Sequence, residues 1–175
     1  MIANNLINEV LELIKNNKFE DSLKKLEKIE NKDSKVYFLT GSVYLSLNKI
    51  ELAEKNLLMA YKLNNKNFSI LHNLGVINKT KGNLETAKDY FVEALEIQEN
   101  LELLSEIANI YKELNNYEIA EKYCQMVFKK DKSHQKTNLI LSEIYFKNNE
   151  IHKALIYKHK ATGLIRFLEK DFEII

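Results

Sequence analysis

Gly82-Asn83-Leu84-Glu85-Thr86-Ala87 decides the fold, because its layout returns along the chain. Asn48-Lys49-Ile50-Glu51-Leu52-Ala53, Asn115-Asn116-Tyr117-Glu118-Ile119-Ala120 and Asn149-Glu150-Ile151-His152-Lys153-Ala154 share it. Their alanines fall at 53, 87, 120 and 154, in steps of 34, 33 and 34 residues. A fixed period of this length marks stacked supersecondary units, each of which needs its neighbours to bury its apolar face. A weaker copy, Asn17-Lys18-Phe19-Glu20-Asp21-Ser22, puts Ser22 31 residues before Ala53. Such degeneracy is expected of an end repeat.

Working outward, the spacing on both sides of the quoted stretch is helical. Leu71, Leu74, Gly75 and Asn78 precede it, and Ala87, Tyr90, Phe91, Ala94 and Leu95 follow it. Each unit therefore reads as helix, tight turn, helix. A helix that ends on a left-handed residue takes glycine or asparagine there, and Asn17, Asn48, Gly82, Asn115 and Asn149 hold that position. Small residues recur where paired helices should cross closely: Gly41, Gly75, Ala108 and Ser142 on the first helix, Ala53, Ala87, Ala120 and Ala154 on the second. With no proline and four glycines in 175 residues, the punctuation of a β-rich fold is missing and helices must fill the chain.

These positions resemble the tetratricopeptide repeat family. Tyr44, Tyr111 and Tyr145 match its first-helix aromatic, Ile50, Leu84, Tyr117 and Ile151 its large residue after the turn, and Phe91 its second-helix aromatic. Two features depart from the family pattern: no proline closes the units, and Tyr37, Leu71, Leu104 and Asn138 stand where the family often places tryptophan. The resemblance implies one all-α domain over 1–175, a right-handed superhelical solenoid of about five helix-turn-helix repeats. The units are expected at about 3–33, 34–67, 68–100, 101–134 and 135–168, with a tail at 169–175. The final helix is expected to run on through Leu164, Ile165, Phe167 and Leu168 to Phe172, Ile174 and Ile175. A last repeat normally needs a polar cap. That apolar extension is therefore expected to pack back on the fifth repeat, to form a homodimer, or to dock onto a further domain.

Composition narrows the function. Hydrophobic residues make up 45% and charged residues 29%, the mixture of helices with one buried stripe and one solvated face. The net charge of +1 gives no general basic field, so neither nucleic acid nor membrane is the expected partner. Met1-Ile2-Ala3-Asn4-Asn5 lacks the charged start and apolar core of a secretory signal, and no apolar run approaches the roughly 20 residues that span a bilayer. Cytoplasmic residence is the default expectation. Cys124 is the only cysteine, which rules out an intrachain disulfide, and its place among the repeat-core positions marks it as a small hydrophobe.

No catalytic constellation, metal site or cofactor is expected. His152 and His159 lie seven residues apart, farther than the three to five usual for a zinc pair, and His134 falls in an inter-repeat turn. The carboxylates are tied to no histidine, phosphate loop or nucleophile motif. Charge is nevertheless uneven: ten acidic and three basic residues lie between Lys81 and Glu121, against four acidic and ten basic between Lys129 and Lys170. The bland reading of such runs is a solvated face.

The resemblance also implies a concave groove lined by the first helix of each unit. Carried over repeat by repeat, its positions are Lys35, Phe38, Ser42 and Leu45, then Ser69, His72, Val76 and Lys79. The fourth unit gives Glu102, Ser105, Glu106, Asn109 and Glu113, and the fifth Leu139, Glu143 and Phe146. The partner expected there is a protein or peptide segment with an apolar anchor toward the first units and lysine or arginine toward the fourth. The clamp by which some relatives grip chaperone C-termini is absent, since His72, Val76, Glu102 and Glu106 occupy its positions. The leading expectation is a non-enzymatic scaffold or adaptor. A regulatory or substrate-presenting segment of a larger enzyme, such as a transferase, and a secretion-type chaperone are the alternatives.

Overall fold

The structure, a computed structural model, describes residues 2–163 and the strand residues 165–167 and 172–174. Two compact units divide the chain at Ile97 and Gln98. The first holds six helices: α1 (Ile2–Lys15), α2 (Phe19–Glu27), α3 (Ser34–Ser46), α4 (Ile50–Leu63), α5 (Phe68–Thr80) and α6 (Leu84–Ile97). The second holds α7 (Leu101–Glu113), α8 (Tyr117–Phe128), α9 (Gln135–Lys147) and α10 (Ile151–Thr162), followed by β1 (Ile165–Phe167) and β2 (Phe172–Ile174). Consecutive helices pair as hairpins: α1 with α2, α3 with α4, α5 with α6, α7 with α8 and α9 with α10.

The turn inside each hairpin has one construction. Asn17, Asn48, Asn115 and Asn149 have φ of 56°, 56°, 60° and 62°, and Gly82 has 79°. Around each, the next amide reaches back to a carbonyl of the preceding helix: Lys18 to Leu13, Lys49 to Tyr44, Asn83 to Asn78, Asn116 to Tyr111 and Glu150 to Tyr145, at 2.8–2.9 Å. The left-handed residue itself donates to the carbonyl three positions earlier, as Asn48 does to Leu45 at 2.9 Å. This paired pattern is a Schellman motif, which satisfies carbonyls that a helix end would otherwise strand. Asparagine tolerates the geometry because its short polar side chain lowers the cost of the left-handed region.

The first helix of a unit starts on a side-chain cap. Asp33, Asn67 and Asn100 accept from the amides of Val36, Ile70 and Leu103 at 2.9, 3.2 and 3.1 Å. His134 Nδ1 accepts from the Thr137 amide at 3.3 Å. These caps repeat with the same period as the turns, so each hairpin from α3/α4 onward carries its own start and stop signals.

The small residues sit where the paired helices meet. A Cβ on Gly41 would stand 2.7 Å from Leu57 Cγ and 3.2 Å from the Ala53 carbonyl oxygen. One on Gly75 would run into the Phe91 ring, whose Cζ lies 2.9 Å away. In the last hairpin, Ser142 Oγ donates to the Ala154 carbonyl at 2.9 Å. Ala53, Ala87 and Ala120 are fully buried, and Ala154 nearly so. Unit 1 packs Ile7, Val10, Leu26, Ile29, Val36 and Leu39 in one cluster and Ala53, Leu57, Ala60, Ile70, Leu74 and Ile77 in a second. Unit 2 packs Ala108, Ala120, Cys124, Ile140, Leu141 and Ile144 beneath a layer of tyrosines. Burying one large side chain of this kind contributes roughly 1.5–3 kcal/mol.

The helical extension expected from the sequence does not continue past Thr162. The helix α10 stops at Thr162 because Gly163 takes φ of 78° and donates to the Lys160 carbonyl at 3.3 Å. β1 then pairs antiparallel with β2, in the register Ile165 with Ile174, Arg166 with Glu173 and Phe167 with Phe172. A homodimer through a continued final helix loses that helix. Leu164, Leu168 and Ile175 lie outside the described residues.

Candidate protein-interaction surfaces

In unit 1, α1, α3 and the α4–α5 connection enclose a depression of about 840 Å³. Leu11, Phe38, Leu39, Leu63 and Ile70 give it an apolar lining, with Lys32, Asp33, Lys35 and Asn64 among its polar residues. Leu11 and Leu63 are exposed, while Phe38 is half-buried and packs on both core clusters of the unit. Among the described residues, Lys32 and Lys35 have no carboxylate within ion-pair distance. The site combines an apolar floor with two ammonium groups and one carboxylate, Asp33, which caps α3 through the Val36 amide; the cations are in excess, so it favours a large apolar side chain flanked by negative charge.

The sequence-derived positions in unit 1 divide. Lys35 and Phe38 line the depression. Ser42 accepts from Asn73 Nδ2 at 3.4 Å, and Leu45 is half-buried against the second cluster. Val76 and Ser69 are exposed, and Lys79 is half-buried. His72 stacks on Phe68, with ring centroids 5.9 Å apart, and leans on Phe91 at the same distance. Its imidazole thus serves the packing of α5 on α6. Leu11, Leu63 and Lys32 were not among the expected positions. Aligning Asn17 with Asn48 places Leu11 opposite Ser42, which is the signal that identifies it.

In unit 2 the acidic row on α7 is met by Lys136 of α9 and by the imidazole of His134 in its leading turn. His134 Nε2 lies 3.1 Å from Glu102 Oε1, and Lys136 Nζ lies 3.9 Å from Glu102 Oε2. Lys136 also bonds Glu106, and Lys112 of α7 bonds Glu143 of α9. Asn109 Nδ2 donates to Glu113 Oε1 at 2.6 Å. The carboxylates expected to draw a basic partner are largely engaged, and a ligand cation has to displace Lys136 or Lys112 to reach them. Leu139, Glu143 and Phe146 instead line a depression of about 500 Å³ with Ser142, Lys147, Ile151, Ala154, Leu155 and Lys158.

Cys124 is buried beside Tyr111 and Tyr123, and burial first, then the Glu121 charge, pushes its thiol up to about 12. It is protonated at neutral pH and offers no nucleophile. Among the described residues, no three of His, Cys, Asp and Glu gather as a metal site requires. No helix among them is long and apolar enough to cross a membrane.

Comparison with known proteins decides the family. The tetratricopeptide repeat profile matches residues 34–67, 68–101 and 101–129, more than half of the chain. The chain belongs to the tetratricopeptide repeat family. Anaphase-promoting complex subunit CDC16 of Saccharomyces cerevisiae is 27% identical over 132 residues, 71% of this chain and 16% of that protein. The UDP-N-acetylglucosamine–peptide N-acetylglucosaminyltransferase of Caenorhabditis elegans is 36% identical over 65 residues, 37% of this chain and 6% of the enzyme. The chain thus spans less than a fifth of the length of the curated relatives it matches. Among solved structures, the MamA RS-1 ArsTM double mutant superposes with a TM-score of 0.83 at 14% identity, over 92% of this chain and 93% of MamA. That likeness carries the tetratricopeptide fold.

Proposed function

We propose that these tetratricopeptide repeats form a protein-interaction scaffold that holds a peptide or protein segment, anchored by an apolar side chain in the α1/α3 depression of unit 1. The observation that carries this reading is the joint placement of exposed Leu11 and Leu63, half-buried Phe38 and the ammonium groups of Lys32 and Lys35 around one concavity. A hot spot of this form takes a large apolar anchor, and the lysines select for aspartate or glutamate next to it. The match to CDC16, a subunit of a multiprotein complex by its name, supports the scaffold reading at the level of the repeats. Within unit 1, the first-helix positions Ser42, Leu45, Val76 and Lys79 extend the contact beyond the anchor.

Peptides selected from a displayed random library against the whole chain test this. They should carry a large apolar residue beside an acidic one. Their binding should be lost in Leu63→Glu and weakened in Lys32→Glu with Lys35→Glu, with the helical circular dichroism unchanged. Selected peptides that bind Leu63→Glu as well as the parent would dismiss the site.

A second reading draws on the match to the glycosyltransferase: the repeats present substrate to a catalytic region of a longer protein. The size of the native polypeptide on an immunoblot separates the two. A species near 20.5 kDa favours the scaffold, and a much larger one favours the appended segment.

A further inference from the structure

Hairpins within the units are overlaid by the helix that follows them. In unit 1, α5 brings Ile70, Leu74 and Ile77 against Ala53, Leu57 and Ala60 of α4. In unit 2, α9 brings Ile140, Leu141 and Ile144 against Ala108, Ala120 and Cys124 of the α7/α8 hairpin. Thirty-four residues on, Ser105, Tyr117 and Ala120 become Leu139, Ile151 and Ala154 of the α9/α10 hairpin. Ser105 and Ala120 are buried and Tyr117 is half-buried. Leu139 and Ile151 are 46% and 44% exposed, and Phe146 and Leu155 beside them 65% and 51%. Four large apolar side chains around one depression exceed the scatter of single hydrophobes that soluble surfaces carry. Buried Ser142 and Ala154 form its floor, at the positions where Ala108 and Ala120 let α9 approach.

Charge selects the occupant. On the rim, Glu143 is already bonded to Lys112, whereas Lys147 and Lys158 have no carboxylate partner among the described residues. A second copy presenting the same face would set lysine against lysine around the apolar contact. We propose that the α9/α10 face docks an amphipathic helix of a partner protein, seated as α9 is on α7/α8. Its apolar residues stand at i, i+1 and i+4, the spacing of Ile140, Leu141 and Ile144, with acidic residues flanking them. This surface goes beyond the unit 1 anchor site and does not depend on it.

The probe is a helix-stabilised peptide of the 13-residue length of α9, carrying Ile-Leu-x-x-Ile flanked by glutamates, with a lysine-flanked twin as control. Fluorescence anisotropy against the 175-residue chain reads its binding. The glutamate peptide should bind, and Leu155→Lys, at an exposed position, should weaken it roughly tenfold or more. Lys147→Glu with Lys158→Glu should transfer the preference to the lysine twin, and both effects should persist in a Leu63→Glu background, in which the unit 1 depression no longer takes an acidic apolar peptide. Absence of saturable binding, equal binding of the twins, or indifference to Leu155→Lys overturns the proposal. So does loss of binding in Leu63→Glu, which puts the peptide in unit 1, or a sedimenting dimer that Leu155→Lys dissolves, which makes a second copy the occupant.

Discussion

Asn138 stands where the three preceding repeats carry Tyr37, Leu71 and Leu104, and it is fully buried. Its Nδ2 donates to the His134 carbonyl at 3.0 Å and, more weakly, to that of Lys132 at 3.4 Å, but its Oδ1 has no hydrogen-bond partner. An orphaned buried acceptor costs more than a weak bond returns, so Asn138→Leu should stabilise the protein by about 1 kcal/mol, read as a higher urea midpoint. Gly75→Ala should act in the opposite sense. Its Cβ runs into the Phe91 ring, which is fully buried, and the expected loss in the same measurement is about 1–3 kcal/mol. The small residue at 75 was legible from the period alone, because close helix crossings impose one residue size at one interval. The stacking of His72 between Phe68 and Phe91 was not legible, since a position on a helix face does not reveal which neighbouring ring an imidazole meets.

At the level of helices, the ladder between α7 and α9 changes what charge reversal should do. Glu106 is half-buried and bonded to Lys136, so Glu106→Lys should weaken the α7–α9 packing as well as any ligand contact. Adding Lys136→Glu should restore it, and a double-mutant cycle in urea should return a coupling of about 0.5–1 kcal/mol. The acidic row of α7 was plain in the sequence, but its cations come from a helix one repeat later, and only the stacking of the two helices pairs them. The caps show the same division. Asp33, Asn67 and Asn100 are ordinary N-cap residues in the period, whereas His134 fills that role with a ring nitrogen. The apolar content after Thr162 suggested a continuing helix, yet one left-handed glycine ended it.

Across the molecule, a set of acid groups resists ionisation. Burial, then the Glu121 charge, raises Cys124 from 9.0 and Tyr145 from 10.0, each to about 12. Burial is also the first cause of the upward shifts of Tyr61, Tyr90 and Tyr157. The folded state holds these protons more tightly than the unfolded chain does. Their contribution to stability is therefore complete below about pH 9 and is lost as pH climbs toward 12. Melting temperature should be level from about pH 7 to 8.5 and then fall, and Cys124→Ala should flatten the first part of that fall. A melting curve that stays level to pH 11 would contradict the assignment. The family and the helix count of each unit were readable because the period constrains every repeat alike. The anchor depression draws Leu11, Phe38 and Leu63 from three helices, and proximity of that kind is set by packing.

The five left-handed hinges also govern which length changes a gene for this protein can tolerate. One residue gained or lost between a hinge and the helix after it rotates that helix by about 100°. The alanine meant for the crossing would then face water, and a polar neighbour would enter the core. Lineages carrying such repeats are free to exchange surface side chains, but indels should survive only between hairpins or as whole repeats.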